Sequence, residues 1–209
     1  MDQLIGIEEV AIRISSVWVL NLDLVSLIHK LRELGYNVAR IKVKPPDGIG
    51  LLPLEPPDVI AAKGLCSIGY DHGRRVLYVE GQRPTDVLAV FNEVENVLKD
   101  LGTDPGKALF YELMANVKAR IGRLRLLRGH DLEVADIIGY NLKLVGGSFV
   151  AGEPNSIKFL ELRLLPLWTR WKGPDGLYTI IIVYRDERSK LLEFLKHFEE
   201  KLVAVLRRV

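Results

Sequence analysis

A single cysteine, Cys66, stands in 209 residues, and one thiol excludes disulfide frameworks, zinc knuckles and iron–sulfur clusters together. Nor is there an apolar run long enough to cross a bilayer. Leu177–Tyr184 is among the longest, well short of the roughly 20 residues a spanning helix needs. The acidic start (Met1, Asp2, Glu8, Glu9) is unlike a signal peptide, so the expectation is a soluble, cytoplasmic protein. Methionine and glutamine are scarce, with two of each, a depletion of labile side chains that resembles thermophile proteins. No Gly-Lys-Ser/Thr follows a glycine-rich loop, and no dinucleotide glycine spacing precedes a helix. No cofactor and no metal are expected. What remains, 48% hydrophobic and 27% charged residues, is the composition of a globular chain with a sizeable core.

The chain is nearly twice 104 residues long, and sliding it against itself by 104 pairs Gly35-Tyr36-Asn37 with Gly139-Tyr140-Asn141. At the same offset Gly69 and Asp71 fall on Gly173 and Asp175, and Val79 on Val183. The final helices align in phase: Val87, Leu88, Phe91, Val94, Leu98 and Leu101 match Leu191, Leu192, Leu195, Phe198, Leu202 and Val205. Both sets have the one-face spacing of an amphipathic helix. Thr85 and Ser189 correspond as N-caps. A period of this size predicts duplicated domains, because solenoid units are much shorter. Only the first strands disagree. They are apolar at Val10, Ile12 and Ile14 but at Leu113, Ala115, Val117 and Ala119, so a one-residue slip or bulge is expected there.

Each half reads as strand, helix, three or four strands, helix: an α+β protein of two tandem-repeated modules, residues 1–103 and 104–209. Antiparallel sheets with helices packed on one face, related by a pseudo-twofold, are predicted. In the first half a strand near 8–20 precedes a helix over 22–34 and a strand over 36–43. A Pro-rich loop (44–57), strands around 59–70 and 74–81 and a helix over 85–101 follow. The second half repeats this at 108–121, 128–138, 140–150, 157–171, 177–185 and 188–207. Gly35 and Gly139 stand where helix C-caps call for a left-handed residue, and the two Gly-x-Asp sites suit hairpin turns. This duplicated order of elements is similar to the saddle of the TATA-binding protein and related folds, over nearly the whole chain. The resemblance implies a sheet face that reads DNA with paired phenylalanine wedges, and no such strand-borne pairs match here. No residue role is therefore carried over.

Charge is unevenly divided. Residues 1–104 carry 11 basic against 15 acidic side chains, and residues 105–209 carry 18 against 12. Arg120, Arg123, Arg125 and Arg128, with Lys118 before and His130 after, concentrate the excess. Planar guanidinium forks attract phosphate and carboxylate, so this cluster binds a polyanion or pairs with the acidic half. Trp168, Arg170, Trp171 and Lys172 interleave indoles and cations, a pattern that stacks on bases or packs at a rim.

Tyr70-Asp71-His72-Gly73-Arg74-Arg75 holds acid–base vocabulary in one turn, yet neighbours on a hairpin rarely converge, and Asp71 reads as a turn former. In Gly129-His130-Asp131-Leu132-Glu133, Asp131 reads as a helix N-cap, and a lone histidine falls short of a metal's ligand set. His29 and His197 lie on helices without special role. Cys66 lies in an apolar strand, where a thiol is inert. The loops over 44–57 and 146–154 cover an edge or dock a partner. Leu177–Tyr184, apolar at both parities, predicts a strand shielded on both faces, by the other half, a ligand, or a second copy in a homodimer.

The leading expectation is a non-enzymatic binding protein that meets nucleic acid or another polyanion through the basic second repeat. The alternatives are a small-molecule-binding protein or enzyme with its pocket between the repeats, and a structural assembly subunit.

Overall fold

A computed structural model describes residues 5–40, 42–43, 54–55, 58–121, 133–145, 148–166 and 176–208. Within them the chain runs β1 (Ile5–Val17), α1 (Leu24–Glu33), β2 (Asn37–Val38), β3 (Lys42–Val43), β4 (Leu54–Glu55), β5 (Val59–Lys63), β6 (Cys66–Asp71), β7 (Val76–Gly81) and α2 (Pro84–Asp100). It continues with β8 (Phe110–Ile121), α3 (Ala135–Ile138), β9 (Lys143–Val145), β10 (Ser148–Ala151), β11 (Phe159–Pro166), β12 (Gly176–Asp186), α4 (Arg188–Lys196) and α5 (Phe198–Leu206).

The helices form where apolar residues recur on one face and the ends are satisfied. In α1, Leu24, Leu27, Ile28 and Leu31 are buried, and Asp23 caps the start by accepting from the Ser26 N–H at 3.2 Å. Gly35, at φ +80°, ends it: its N–H donates to the Arg32 carbonyl, and the Tyr36 N–H reaches back to the Leu31 carbonyl. This is the paired closure that a left-handed residue permits.

Ten strands make one antiparallel sheet in the order β2-β5-β6-β7-β1-β8-β12-β11-β10-β9, and β3 and β4 form a small ribbon apart. The fold is thus α+β, with a single sheet where two were expected. The first strand of each half pairs directly with the other, β1 against β8, and the remaining strands follow outward in mirrored order. The core lies on one face. Ile12, Ile14, Leu77, Val79, Leu113, Ala115, Ile180 and Ile182 alternate inward beneath Leu27, Val87, Phe91, Leu191 and Leu195 of the helices.

Register corrects the ungapped offset of 104. Ile12 stands opposite Ala115 and Ile14 opposite Leu113, and opposed residues share a face. Same-face positions of β1 and β8 therefore differ by an odd number. The same holds for the last strands, where Leu77 and Val79 but Ile180 and Ile182 point inward. A bulge interrupts β1 between Ile7 and Glu9. The helices after the last strands keep the even offset: α2 follows Arg83 and α4 follows Glu187.

Other expectations are corrected locally. Pro84 takes the first position of α2, so Arg83 is the N-cap, and Thr85 lies inside the helix, as Ser189 does in α4. The helix over 188–207 is two, because the His197 backbone (φ −112°, ψ 30°) leaves helical values. The stretch 59–70 folds back at Gly64 as β5 and β6, and 148–151 of the expected loop is strand β10. Gly69 is mid-strand rather than in a turn. A Cβ there would sit 2.1 Å from the Tyr78 ring, which lies across from it. Asp71 does form the turn, accepting the Arg74 N–H at 3.0 Å.

Candidate functional site: the open face of the sheet

Because side chains alternate along a strand, the residues that do not face the helices form a second surface. It carries Ser67, Gly69 and Asp71 of β6, Tyr78 and Glu80 of β7, and Ala11, Arg13, Ser15 and Val17 of β1. Phe110, Glu112, Met114, Asn116, Lys118 and Arg120 of β8 continue it, followed by Thr179, Ile181, Val183 and Arg185 of β12. Ile181 and Val183 are only half buried, so the described residues of the other half do not shield this face of β12. The halves lie side by side in one sheet, and among the described residues neither covers the other's open face.

Among the described residues, each of the surface's cations already has a carboxylate. Arg13 donates through Nε (3.0 Å) and Nη2 (2.5 Å) to Glu80 Oε2 and stacks 4.2 Å over the Tyr78 ring. Glu80 also accepts from Ser67 Oγ at 3.1 Å. Arg185 donates through Nε to Glu112 at 2.5 Å and through Nη1 to the Pro154 carbonyl at 2.7 Å, between the rings of Phe110 and Phe159. Lys118 pairs with Glu9 at 3.0 Å, and Arg163 with Glu161 at 2.6 Å.

Arg120, the one member of the expected cluster among the described residues, donates to Glu8 through Nε (3.2 Å) and Nη2 (3.0 Å). It is thus tied to the acidic half. Arg123, Arg125, Arg128, His130, Trp168, Arg170, Trp171 and Lys172 lie outside the described residues, as does Asp131.

Small residues between these pairs leave a trough. Its larger basin, about 910 Å³, spans the junction of the halves over Ala11, Ala62, Leu65, Met114, Asn116 and Ile181. A smaller one, about 460 Å³, is lined by Ser15, Tyr78, Phe110, Glu112 and Arg185. Arg13 and Met114 border both.

The remaining candidates do not converge. His72 packs edge-on against Tyr70, with ring centroids 4.7 Å apart. His29 sits beside Glu33, and His197 beside Glu193 and Glu200. Burial pushes the Cys66 thiol up, with the Asp86 charge adding to it, which disfavours the reactive thiolate. Among the described residues no His, Cys, Asp and Glu cluster is placed to hold a metal, and no helix is long and apolar enough to cross a membrane.

Two polar networks escaped the sequence. Glu95 of α2, 2% exposed, takes both Nε (2.8 Å) and Nη2 (2.5 Å) of Arg188 from α4, and Tyr111 donates to it at 3.1 Å. The signal was a carboxylate four residues after Phe91, on the inward stripe. Burial, then the Glu95 charge, raises the Tyr111 hydroxyl well above the usual phenol range. In the second network Asp186 accepts from Tyr140, from Tyr184 (3.3 Å) and from the Glu187 N–H (2.7 Å). Burial alone would raise its carboxyl, but these donors and Lys190 hold it below the usual range. Tyr36 makes the counterpart in the first half, donating to Glu93 at 2.5 Å with Lys63 over its ring.

Comparison of the chain with protein-family models, curated proteins and solved structures finds no match.

Proposed function

We propose that the chain is a non-enzymatic binding protein of two α+β modules, residues 1–103 and 104–209, whose ligand lies in the trough over their junction. Two features support the duplication: the mirrored strand order and the offset of 104 between the starts of α2 and α4. The observation that carries the function is the basin of about 910 Å³ across the junction. Ligand sites are commonly of that volume, mostly apolar, and set between structural units. Among the described residues the open face neutralises its own cations, which favours an uncharged, largely apolar ligand over an anion.

The test is titration with Nile red, an uncharged dye that brightens in apolar sites. A saturable rise in emission is expected, and its loss in Ala11→Phe, which fills the exposed floor of the basin without touching the core. An equal signal from the variant, or none from the native chain, overturns the reading.

A second reading rests on the excess of 18 basic over 12 acidic side chains in residues 105–209. It has Arg123, Arg125 and Arg128 hold a polyanion. Labelled duplex that binds more weakly as salt rises, and more weakly still to Arg123→Ala/Arg125→Ala, would support it, because displaced counterions impose that slope.

A further inference from the structure

Where the halves join, the open face is low and largely apolar. Ala11, Asn116 and Ile181 stand abreast on β1, β8 and β12, and Leu65 and Met114, 61% and 42% exposed, border the same basin. Side chains this short cover an occupant from below only, whereas a small-molecule site encloses most of its ligand. Among the described residues the trough has no roof.

Charge and area together point to a second copy as that roof. Residues 1–104 carry 11 basic against 15 acidic side chains, and residues 105–209 carry 18 against 12. At the seam the acids of the first half stand beside the bases of the second, Glu9 with Lys118 and Glu8 with Arg120, each at 3.0 Å. A copy laid face to face, and turned about a twofold axis running along the seam between β1 and β8, sets the acidic half over the basic half twice. It also lays each seam pair crosswise over its twin, so that glutamate and cation alternate around a square. Turned about an axis across the strands instead, like half would face like. The six strands from β6 to β11 span about 29 Å at ~4.8 Å per strand and run about 20 to 40 Å at ~3.3 Å per residue, about 800 Å² of face. A specific, stable interface takes that much from each partner.

We propose that the open face is the interface of a homodimer, two copies stacked sheet on sheet about a twofold along the seam. Their larger basins then face each other and close into one chamber. The pairing goes beyond the trough reading and stands without it, while the closed ligand chamber rests on that reading.

Sedimentation equilibrium of the intact chain, with and without Nile red, tests both. A dimer at micromolar concentration is expected, with the dye sedimenting alongside it. Met114→Glu sets an unpaired charge on the exposed seam without entering the core, and Glu9→Lys turns the alternating square into like charges. Each should weaken dimerisation about tenfold or more, because unmatched or like charges brought into an interface are costly, and each should keep the circular dichroism of the native chain. A native chain that sediments as a monomer, or folded variants that dimerise as tightly as the native one, overturns the pairing and leaves a dye-binding trough standing. A dimer that takes up no dye supports the pairing and overturns the trough reading alone.

Discussion

Replacing Arg188 by methionine strips the counter-ion from a carboxylate that has almost no access to water. The Glu95 side chain is 3% exposed, whereas that of Arg188 is 39% exposed. The two deletions are therefore unequal. Without Arg188, Glu95 keeps only the Tyr111 hydroxyl, and removing one member of a buried pair costs about 3–5 kcal/mol. Without the Glu95 charge, as in Glu95→Gln, an amide oxygen still accepts from Arg188, and the guanidinium turns partly to solvent. About 1–2 kcal/mol is expected, the scale of one weakened charged hydrogen bond. The double variant Glu95→Leu/Arg188→Met has no charge left to desolvate and should return to within about 1 kcal/mol of the native chain. Urea unfolding followed by circular dichroism measures all three, provided the slope with denaturant is unchanged. If Arg188→Met costs no more than Glu95→Gln, or the double variant loses the sum of the singles, the buried-charge reasoning is wrong. The pair joins α2 of the first half to α4 of the second, so its loss should also loosen the seam on the helical face.

Tyr140 is raised to about 12 by burial and by its bond to Asp186. Since an unfolded phenol titrates near ~10, its contribution is complete below that pH and is lost as pH climbs from ~10 towards the folded value; Tyr140→Phe should flatten that alkaline loss in a thermal-melt series. Asp186 is held low in the fold, so its contribution is present above the ordinary carboxylate pKa of ~4 and disappears as pH falls below it. Asp186→Asn should remove that acid-side slope in the same series. Gly69→Ala forces a Cβ to 2.1 Å from the Tyr78 ring and 2.6 Å from the Asp58 carbonyl oxygen. Overpacking of this kind costs about 1–3 kcal/mol, and a urea midpoint equal to that of the native chain would count against it.

Much of the fold was legible from local pattern. The inward stripes of α1 and α2, the glycine stops at Gly35 and Gly139, and the strands β8 and β12 follow from periodicity and from glycine's access to positive φ. Helix starts were displaced, because Pro84 at the first position moves the cap to Arg83 even with a better capping residue, Thr85, beside it. The strand alignment failed for a different reason. A two-residue repeat makes an even offset meaningless once opposed strands pair with an odd difference, as Ile12 and Ala115 do. Of the expected site only Arg120 is placed, and it is spent on Glu8.

The sequence by itself determined which residues are apolar at helix or strand spacing, where the chain turns, and that its two halves differ in charge. Those are properties of neighbours along the chain. The tertiary structure alone decided that β1 meets β8, so that one sheet runs through both halves and sets Glu8 and Glu9 beside Arg120 and Lys118. It also decided that Glu95 meets Arg188 across the helical face and that Ser15 lies between Tyr78 and Glu112. These partners are separated by about a hundred residues in the first cases and by dozens in the last. Whether a charge is free to bind or already neutralised depends on such distant pairings, and no local pattern carries them.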